Sequence, residues 1–239
     1  MRLHRFFVEA PLDAGPIVSI KDRDLCHQIT RVLRLERGDA LILLDGNGHE
    51  ARGEIITITP KHIEVRIGER SEVEIKPQRT VTLCCAVLKR ENFSMVVQKA
   101  TEVGVATIIP IITSRTIKTG INIERLRAIA REAAEQSGRG TIPKIEEHLA
   151  FEKAVEVYGK NGEQWFLHTS KNEALEKGKK NESAVTCWIG PEGGWTDEEV
   201  KFALTKGLRA ISLGSMVLRA ETAAIITAYL AIQPKYEMD

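Results

Sequence analysis

The first third of the chain alternates apolar and polar positions in short runs that turn residues separate. Such alternation predicts half-buried β-strands, and the Asp-Gly-Asn-Gly sequence at 45–48 predicts a hairpin turn because glycine and asparagine tolerate positive φ. Leu25, Ile29 and Val32 have helical spacing and predict a helix over 24–33. Strands are expected at Ile17–Ile20, Ala40–Leu44, 49–58 and 61–67. Short strands with glycine turns predict a small β-barrel over residues 1–72.

Beyond residue 80 the pattern changes to apolar strands that alternate with amphipathic helices. Strands are expected at 81–88, 105–112, 164–169, Ala184–Ile189 and 210–213. Helices are expected at 91–103, 123–137, Phe151–Tyr158, 196–207 and 221–232. Gly104 is a predicted helix stop, Asn122 a predicted cap, and Thr196 with Glu199 forms a capping-box sequence. We therefore expect an α/β domain over 73–239 with a parallel sheet and helices on both faces, preceded by a linker at 70–79.

Charge is distributed unevenly along a chain that is nearly neutral as a whole. The 239 residues include 34 Lys and Arg against 33 Asp and Glu, which excludes a polycationic packaging protein. Residues 73–144 alone carry 12 basic and 6 acidic side chains. An anionic partner is expected to bind there.

Cysteine usage and hydropathy indicate the compartment. The four cysteines form no C-x-x-C pair and no zinc-like cluster, so we expect reduced thiols and no metal site. The N-terminus lacks the apolar stretch of a signal peptide, and no apolar run is long enough to span a membrane. These features predict a cytoplasmic protein without membrane contact.

Two loops that follow buried strands are candidates for a ligand site. Neither a dinucleotide-binding glycine motif, a P-loop, a zinc-protease motif nor a hydrolase nucleophile motif occurs in the chain. The first loop, 189–195, reads Ile-Gly-Pro-Glu-Gly-Gly-Trp, and its glycines let backbone approach a ligand closely. A tight turn that needs positive φ explains the same glycines equally well.

The second loop, 213–223, leaves a strand through glycine and leads into a helix. It places Arg219 and Glu221 at the helix start, where the dipole favours bound anions and carboxylates. A surface ion pair is the alternative interpretation. The apolar run Met216-Val217-Leu218 favours the wall of a pocket over a solvated connection.

Five motifs in order carry a resemblance to a known family: Lys-Arg-Glu-Asn-Phe at 89–93, Gln-Lys-Ala-Thr-Glu-Val-Gly at 98–104, the stretch 132–139, and the two loops. Together they resemble the bacterial 16S ribosomal RNA uridine-N3 methyltransferases of the SPOUT class, whose sheet carries a trefoil knot. Residues 27–48 are similar to that family's PUA-like barrel. The resemblance implies S-adenosylmethionine as methyl donor, 16S ribosomal RNA of the small subunit as substrate, and an obligate homodimer.

The resemblance also directs the choice of site residues. Arg219 is the first candidate for stabilising a uracil anion, Glu221 for orienting Arg219 or accepting the N3 proton, and Glu192 is a weaker proton acceptor. The expected cofactor residues lie in three loops: Leu167, His168, Thr169, Ile189, Gly190, Pro191, Gly193, Gly194, Leu213, Gly214, Val217 and Leu218. The expected RNA-binding residues are Arg2, Arg5, Arg31, Arg34, Lys89, Arg90, Lys99 and Arg139.

Two other functions fit parts of the sequence. One is a related knotted methyltransferase that modifies a ribose 2′-hydroxyl or a transfer RNA. The other is a non-catalytic RNA-binding assembly factor, which needs the barrel and the basic segment but no cofactor. The PUA-like barrel and the 98–104 motif favour the uridine-N3 reaction.

Overall fold

A computed structural model describes residues 3–73, 77–117, 120–169 and 183–233. The chain forms two compact units. The first comprises Met1–Lys76 together with Ala134–Ile142, and the second comprises Pro77–Ala133 and Pro143–Asp239. The domain boundary between residues 72 and 73 stays a prediction, and no pattern in the sequence indicates that residues 134–142 group with the first unit.

The first unit is built on a five-stranded mixed sheet. Its strands are β1 (Arg5–Phe7), β2 (Ile17–Ile20), β3 (Ala40–Leu44), β4 (His49–Thr59) and β5 (His62–Glu72), in the order β1-β3-β4-β5-β2. The predicted hairpin joins β3 to β4, and only the unpredicted strand β1 pairs in parallel, with β3. Because β5 continues to Glu72, the first residues of the predicted linker 70–79 belong to a strand, which corrects that prediction.

The predicted helix over 24–33 is present but changes type halfway. Helix α1 (Arg23–His27) is capped by Asp22, whose Oδ1 accepts the N–H groups of Asp24 and Leu25, and a π-helical segment follows at Gln28–Val32. This helical segment packs apolar side chains onto the sheet core, which includes Leu25, Cys26, Ile29, Leu41, Leu43, Ile55, Ile63 and Val65.

The second unit contains an all-parallel sheet, as the continuous apolar strands predict. Its strands are β6 (Thr80–Ala86), β7 (Thr107–Ile112), β8 (Lys144–Ile145), β9 (Leu149–Ala150), β10 (Glu163–Leu167), β11 (Ala184–Ile189) and β12 (Arg209–Ile211). The order is β12-β10-β11-β6-β7-β8, with β9 also on β7, and every pair is parallel. The central strands are almost wholly buried, so the sheet is covered by helices.

The helices are α2 (Arg90–Val103), α3 (Ile123–Ser137), α4 (Phe151–Tyr158), α5 (Asp197–Thr205) and α6 (Ala220–Ile232). All three predicted terminal signals are confirmed. Gly104 ends α2 at φ 115°, Asn122 Oδ1 accepts the N–H of Arg125 at 3.0 Å, and Thr196 forms a reciprocal capping box with Glu199. Within the described ranges no helix combines the length and the apolar character needed to cross a bilayer.

Two groups of helices cover this sheet. Helix α6 contacts β6, β11 and α2. Phe151 of α4 packs with Phe166, Trp188 and Trp195 in a core cluster that also takes in apolar residues of β6, β7 and α5. This packing leaves the carboxyl ends of the strands to the loops, where an open parallel sheet binds its ligands.

Candidate active site

A cavity of about 810 Å³ opens at the carboxyl ends of β10, β11 and β12. A volume of this size accommodates a ligand as large as a nucleoside cofactor. The cavity is lined by three loops, which bring together residues that lie far apart in the sequence. All twelve predicted cofactor residues line it: Leu167, His168, Thr169, Ile189, Gly190, Pro191, Gly193, Gly194, Leu213, Gly214, Val217 and Leu218. Arg219, Glu221, Glu192 and Lys89 line it as well.

The glycines of the 189–195 loop are explained by packing and backbone conformation. A Cβ atom at Gly190 would lie 2.9 Å from Cε2 of Trp195, and one at Gly193 would lie 3.4 Å from Cβ and Cδ of Arg115. Gly194 has φ 71°, in the left-handed region that favours glycine. The positive φ expected of a tight turn is found at Gly194, whereas Gly190 and Gly193 make room for Trp195 and Arg115. The loop lines a cavity, and its close approach to a ligand stays a prediction.

Trp195 fastens this loop to the loop that follows β10. Its Nε1–H donates a hydrogen bond to the carbonyl oxygen of Leu167 at 2.8 Å, across 28 residues of sequence. Its indole lies 4.7 Å, centroid to centroid, from the rings of Phe151 and Phe166. The position of Leu167, which the sequence analysis based on chain order alone, is thus fixed by the glycine loop.

Arg115 is a lining residue that the sequence analysis missed. It follows β7, and its Nη1 donates to the carbonyl oxygens of Gly193 at 2.8 Å and Trp195 at 3.1 Å. No motif surrounds Arg115. Arg115 could have been identified by the criterion used for the other loops, because it follows the carboxyl end of a buried parallel strand. Asn92, in the first turn of α2, also lines the cavity and was missed.

The third loop places Arg219 and Glu221 beside the cavity in different surroundings. Arg219 is the exposed N-cap residue of α6, whereas Glu221, in the first helical turn, is 7% exposed. Among the described residues neither side chain takes part in an ion pair, so the surface ion-pair interpretation is wrong. The neighbouring Met216 and Val217 are 79% and 83% exposed, a large apolar surface for a single chain to leave in water.

Glu192 has a backbone partner on α2. Its Oε1 accepts the N–H of Lys89 at 3.1 Å, which ties the glycine loop to the N-terminus of that helix. The cavity thus carries the cations Lys89, Arg115 and Arg219 and the carboxylates Glu192 and Glu221. A mixture of both signs around an apolar wall suits a ligand that itself carries both charges.

The cysteines near the sheet are unsuited to catalysis. Burial raises the pKa of the Cys85 thiol, and the carboxylates of Glu192 and Glu221 raise it further. Cys84 and Cys187 are fully buried with raised pKa values from the same desolvation. Protonated, inaccessible thiols do not act as nucleophiles at neutral pH. Within the described ranges no cluster of three or more His, Cys, Asp or Glu side chains could hold a metal ion.

The predicted RNA-binding residues differ in their exposure and in their ion-pair partners. Arg31 and Arg34 are exposed, while Arg5 is partly buried with Nε 3.7 Å from Glu50, and Lys99 is paired with Glu102 at 2.8 Å. Lys89 lies in the cavity wall, and Arg2 and the side chain of Arg90 lie outside the described residues.

Arg139 is corrected by the structure. Its side chain is only 8% exposed, and burial lowers the pKa of its guanidinium to about 10. A phosphate contact requires a side chain that reaches solvent, so Arg139 does not fit the RNA-binding role expected for it.

Comparison with known proteins matches both parts of the chain. A family model of an RNA methyltransferase domain matches residues 74–232, and a model of an RNA methyltransferase PUA domain matches residues 20–68. The ribosomal RNA small subunit methyltransferase E of Rickettsia conorii is 33% identical over 94% of this chain and 93% of its own length.

Two solved structures superpose on nearly the whole chain. The ribosomal RNA small subunit methyltransferase E of Neisseria gonorrhoeae, bound to S-adenosyl methionine, has a TM-score of 0.90 and 25% identity, covering 96% of both chains. A Legionella pneumophila structure with bound cofactor SAM has a TM-score of 0.90 and 30% identity, covering 97% of both chains. The expected fold class, a SPOUT-type α/β domain preceded by a PUA-like domain, is confirmed. Since its methyltransferase model spans most of the residues and a relative aligns along nearly its full length, the chain belongs to the RNA methyltransferase family.

Proposed function

We propose that the protein transfers a methyl group from S-adenosylmethionine to N3 of a uridine in 16S ribosomal RNA of the small ribosomal subunit. The observation that carries this proposal is the single cavity in which three strand-end loops meet Arg219 and two carboxylates. Family membership and the similarity to the ribosomal RNA small subunit methyltransferase E of Rickettsia conorii support it. We place the reaction in the cytoplasm.

The residues present fit this cofactor. Apolar side chains of Leu167, Ile189 and Leu218 offer a wall for an adenine ring, and the carboxylates of Glu192 and Glu221 suit a ligand that bears a sulfonium and an ammonium group. Within the glycine loop the N–H of Gly194 is bonded to Pro191 and the carbonyls of Gly193 and Trp195 accept from Arg115, so we expect other backbone groups of the loop to bond the polar edge of the base. When bound, S-adenosylmethionine supplies an activated methyl group, so the chain itself must align the uracil and remove its N3 proton.

Arg219 is the residue that we propose stabilises the uracil once it has lost its N3 proton. Its guanidinium is exposed, lies at the N-terminus of α6, and has no ion-pair partner among the described residues. A positive group free to face developing negative charge is the arrangement that lowers a barrier by electrostatic stabilisation.

Glu221 is the stronger of the two candidate proton acceptors. Without an ion pair to Arg219, it is better suited to accept the proton than to orient the arginine. Glu192 already accepts the N–H of Lys89, so it serves better in holding the loop. The N3 position lies on the Watson–Crick edge, so the target base must be unpaired or extruded, with exposed Arg31 and Arg34 available for phosphate contacts.

We also propose that the protein acts as a homodimer. Met216 and Val217 line the cavity yet are 79% and 83% exposed, and a second copy that covered them would complete the wall. Light scattering after size exclusion at micromolar concentration tests this proposal, and a monomeric mass throughout would contradict it.

The reaction is tested by incubating small ribosomal subunits that lack the modification with the protein and labelled S-adenosylmethionine. Mass spectrometry of the digested RNA then identifies the nucleoside. A 3-methyluridine product supports the proposal. A 2′-O-methylated nucleoside, or labelling of transfer RNA when it replaces the subunits in a parallel incubation, would instead show that the protein is a knotted methyltransferase with another target. No binding of S-adenosylmethionine would favour the non-catalytic assembly factor.

The role of Arg219 is tested with the pair Arg219→Ala and Arg219→Lys. Loss of one donor to a developing anion lowers kcat by roughly 100- to 1,000-fold, so we expect such a fall in the alanine variant. The lysine variant keeps the charge but not the planar donor set, and it should lie between alanine and wild type. Wild-type turnover by the alanine variant would remove Arg219 from the mechanism.

A further inference from the structure

Arg115 connects two segments that are far apart in the sequence. It lies in the turn that follows β7, where Thr116 Oγ1 accepts the N–H of Thr113 at 2.9 Å and Thr113 O accepts the N–H of Thr116 at 3.1 Å. From this turn its side chain reaches the glycine loop, 78 residues later for Gly193 and 80 for Trp195. The backbone that carries Arg115 is therefore held in place by hydrogen bonds within the turn.

One nitrogen of Arg115 holds two carbonyl groups of the loop at once. Nη1 donates to the oxygens of Gly193 at 2.8 Å and Trp195 at 3.1 Å. The aliphatic stem lies against Gly193, where a Cβ atom would sit 3.4 Å from Cβ and Cδ of Arg115. Hydrogen bonds from a charged donor are stronger than neutral ones, so this contact restricts the loop more than an ordinary turn bond.

A buried carboxylate strengthens the same connection. Glu199 is 3% exposed, and its Oε1 accepts the N–H of Ser114 while its Oε2 accepts the N–H of Thr196, both at 2.8 Å. Arg115 and Glu199 thus join the turn after β7 to the two ends of the segment 193–199. On its other side the loop is held through Trp195 and Leu167.

We propose that Arg115 is a positioning residue that holds the glycine loop in its ligand-binding conformation before the ligand arrives. This inference rests on the proposed function, because it assumes that the cavity takes S-adenosylmethionine. A loop that is already ordered loses less conformational freedom on binding, so Arg115 increases cofactor affinity and leaves the methyl-transfer step itself largely unaffected.

The experiment compares Arg115→Ala and Arg115→Lys with wild type. Calorimetry should give a Kd for S-adenosylmethionine that is roughly 10- to 100-fold higher for the alanine variant, because two charge-assisted bonds to the loop are lost. The lysine variant should recover part of the affinity. The KM for S-adenosylmethionine should rise in parallel, while the KM for RNA and kcat at saturating cofactor should stay close to wild type.

Arg127→Ala is the matched control. Arg127 also carries its charge on an exposed side chain and donates to a distant carbonyl, that of Ile145 at 3.3 Å, but it lies away from the cavity. Its removal should leave the cofactor Kd unchanged. Amide hydrogen exchange of the ligand-free proteins gives a readout without turnover: peptides covering 190–196 should exchange faster in Arg115→Ala than in Arg127→Ala or wild type.

Equal Kd values for wild type and Arg115→Ala, or a fall in kcat at unchanged Kd, would overturn the inference. If Arg115→Ala does not fold, Arg115→Lys carries the test, and a Kd equal to wild type would overturn it there. Should wild type itself fail to bind S-adenosylmethionine, the proposed function fails and this inference with it. Binding by wild type with no effect of Arg115 removes the inference alone.

Discussion

The contact between Gly190 and Trp195 allows the effect of a single added methyl group to be worked out. In Gly190→Ala the new Cβ atom would lie 2.9 Å from Cε2, 3.0 Å from Nε1 and 3.2 Å from Cδ2 of Trp195. Carbon atoms in contact prefer about 3.5–4.0 Å, so the indole must move by roughly 0.5–1 Å. The rings of Phe151 and Phe166 lie 4.7 Å from the indole, centroid to centroid, and leave it little room.

The energetic cost has two parts and one offset. Overpacking a core costs about 1–3 kcal/mol, and weakening the bond from Trp195 to Leu167 costs about 1 kcal/mol. Alanine also lowers the conformational entropy of the unfolded chain, which stabilises the folded state by about 0.5 kcal/mol relative to glycine. This gain applies here because Gly190 does not have a left-handed φ. The net loss is about 1.5–3.5 kcal/mol, which lowers Tm by roughly 3–14 °C in a protein of this size.

Calorimetric melting and titration with S-adenosylmethionine measure the two expected effects, a lower Tm and weaker binding. Gly120→Ala is the control, because nothing lies within 4 Å of its Cβ position and its φ is not left-handed. Its Tm should therefore rise by about 1–2 °C, the effect of the unfolded chain alone. If Gly190→Ala melts within about 1 °C of wild type and binds the cofactor equally well, the packing argument is wrong.

Two further predictions concern other parts of the chain. Burial alone would raise the pKa of Asp45, but two backbone N–H groups and the Arg70 guanidinium outweigh it and lower that pKa below its usual 3.8. This stabilisation is present above the unfolded pKa of 3.8 and is lost as the pH falls through the lower folded-state pKa. Asp45→Asn should therefore lose about 1–2 kcal/mol in urea unfolding at neutral pH, and a difference from wild type that does not shrink as the pH is lowered below 3.8 would contradict this. Thr196→Ala should lose about 1 kcal/mol by removing the cap bond to Glu199, whereas Thr196→Ser should not; equal melting of the two variants would refute the capping argument.

Periodicity and terminal signals predicted the long elements of the fold well. The strands β6, β7 and β11 lie close to their expected positions because each is a continuous apolar run. The helices α2, α3 and α5 do so because each combines an apolar periodicity with an identifiable terminal residue. The strands β1, β8 and β9 have three residues or fewer and carry no pattern, so only their pairing partners define them. The π-helical turn was also beyond prediction, since its apolar spacing is the same as that of an α-helix.

The lining of the candidate site was predictable for a similar reason, and its internal supports were not. Parallel strands bring their carboxyl ends to one edge, so the loops after β11 and β12 could be grouped from the sequence, whereas the loop after β10 was added from the family resemblance. The partner of each glycine depends on tertiary packing, and therefore neither Arg115 nor Trp195 could be assigned its role. The burial of Arg139 also depends on tertiary packing, so a count of charges along the sequence could not predict it.

The order of strands in the second sheet also governs how the chain can fold as it is synthesised. Strand β6 pairs with β7 on one side and with β11 on the other, so that Thr80 faces Ala184. At roughly 5–20 residues per second, the ribosome needs about 5–20 s to make the chain between these two partners. During that interval the inner edge of β6 has no strand to pair with. We therefore expect nascent chains that stop before β11 to associate with chaperones, and full-length chains to be released from them once β11 has emerged.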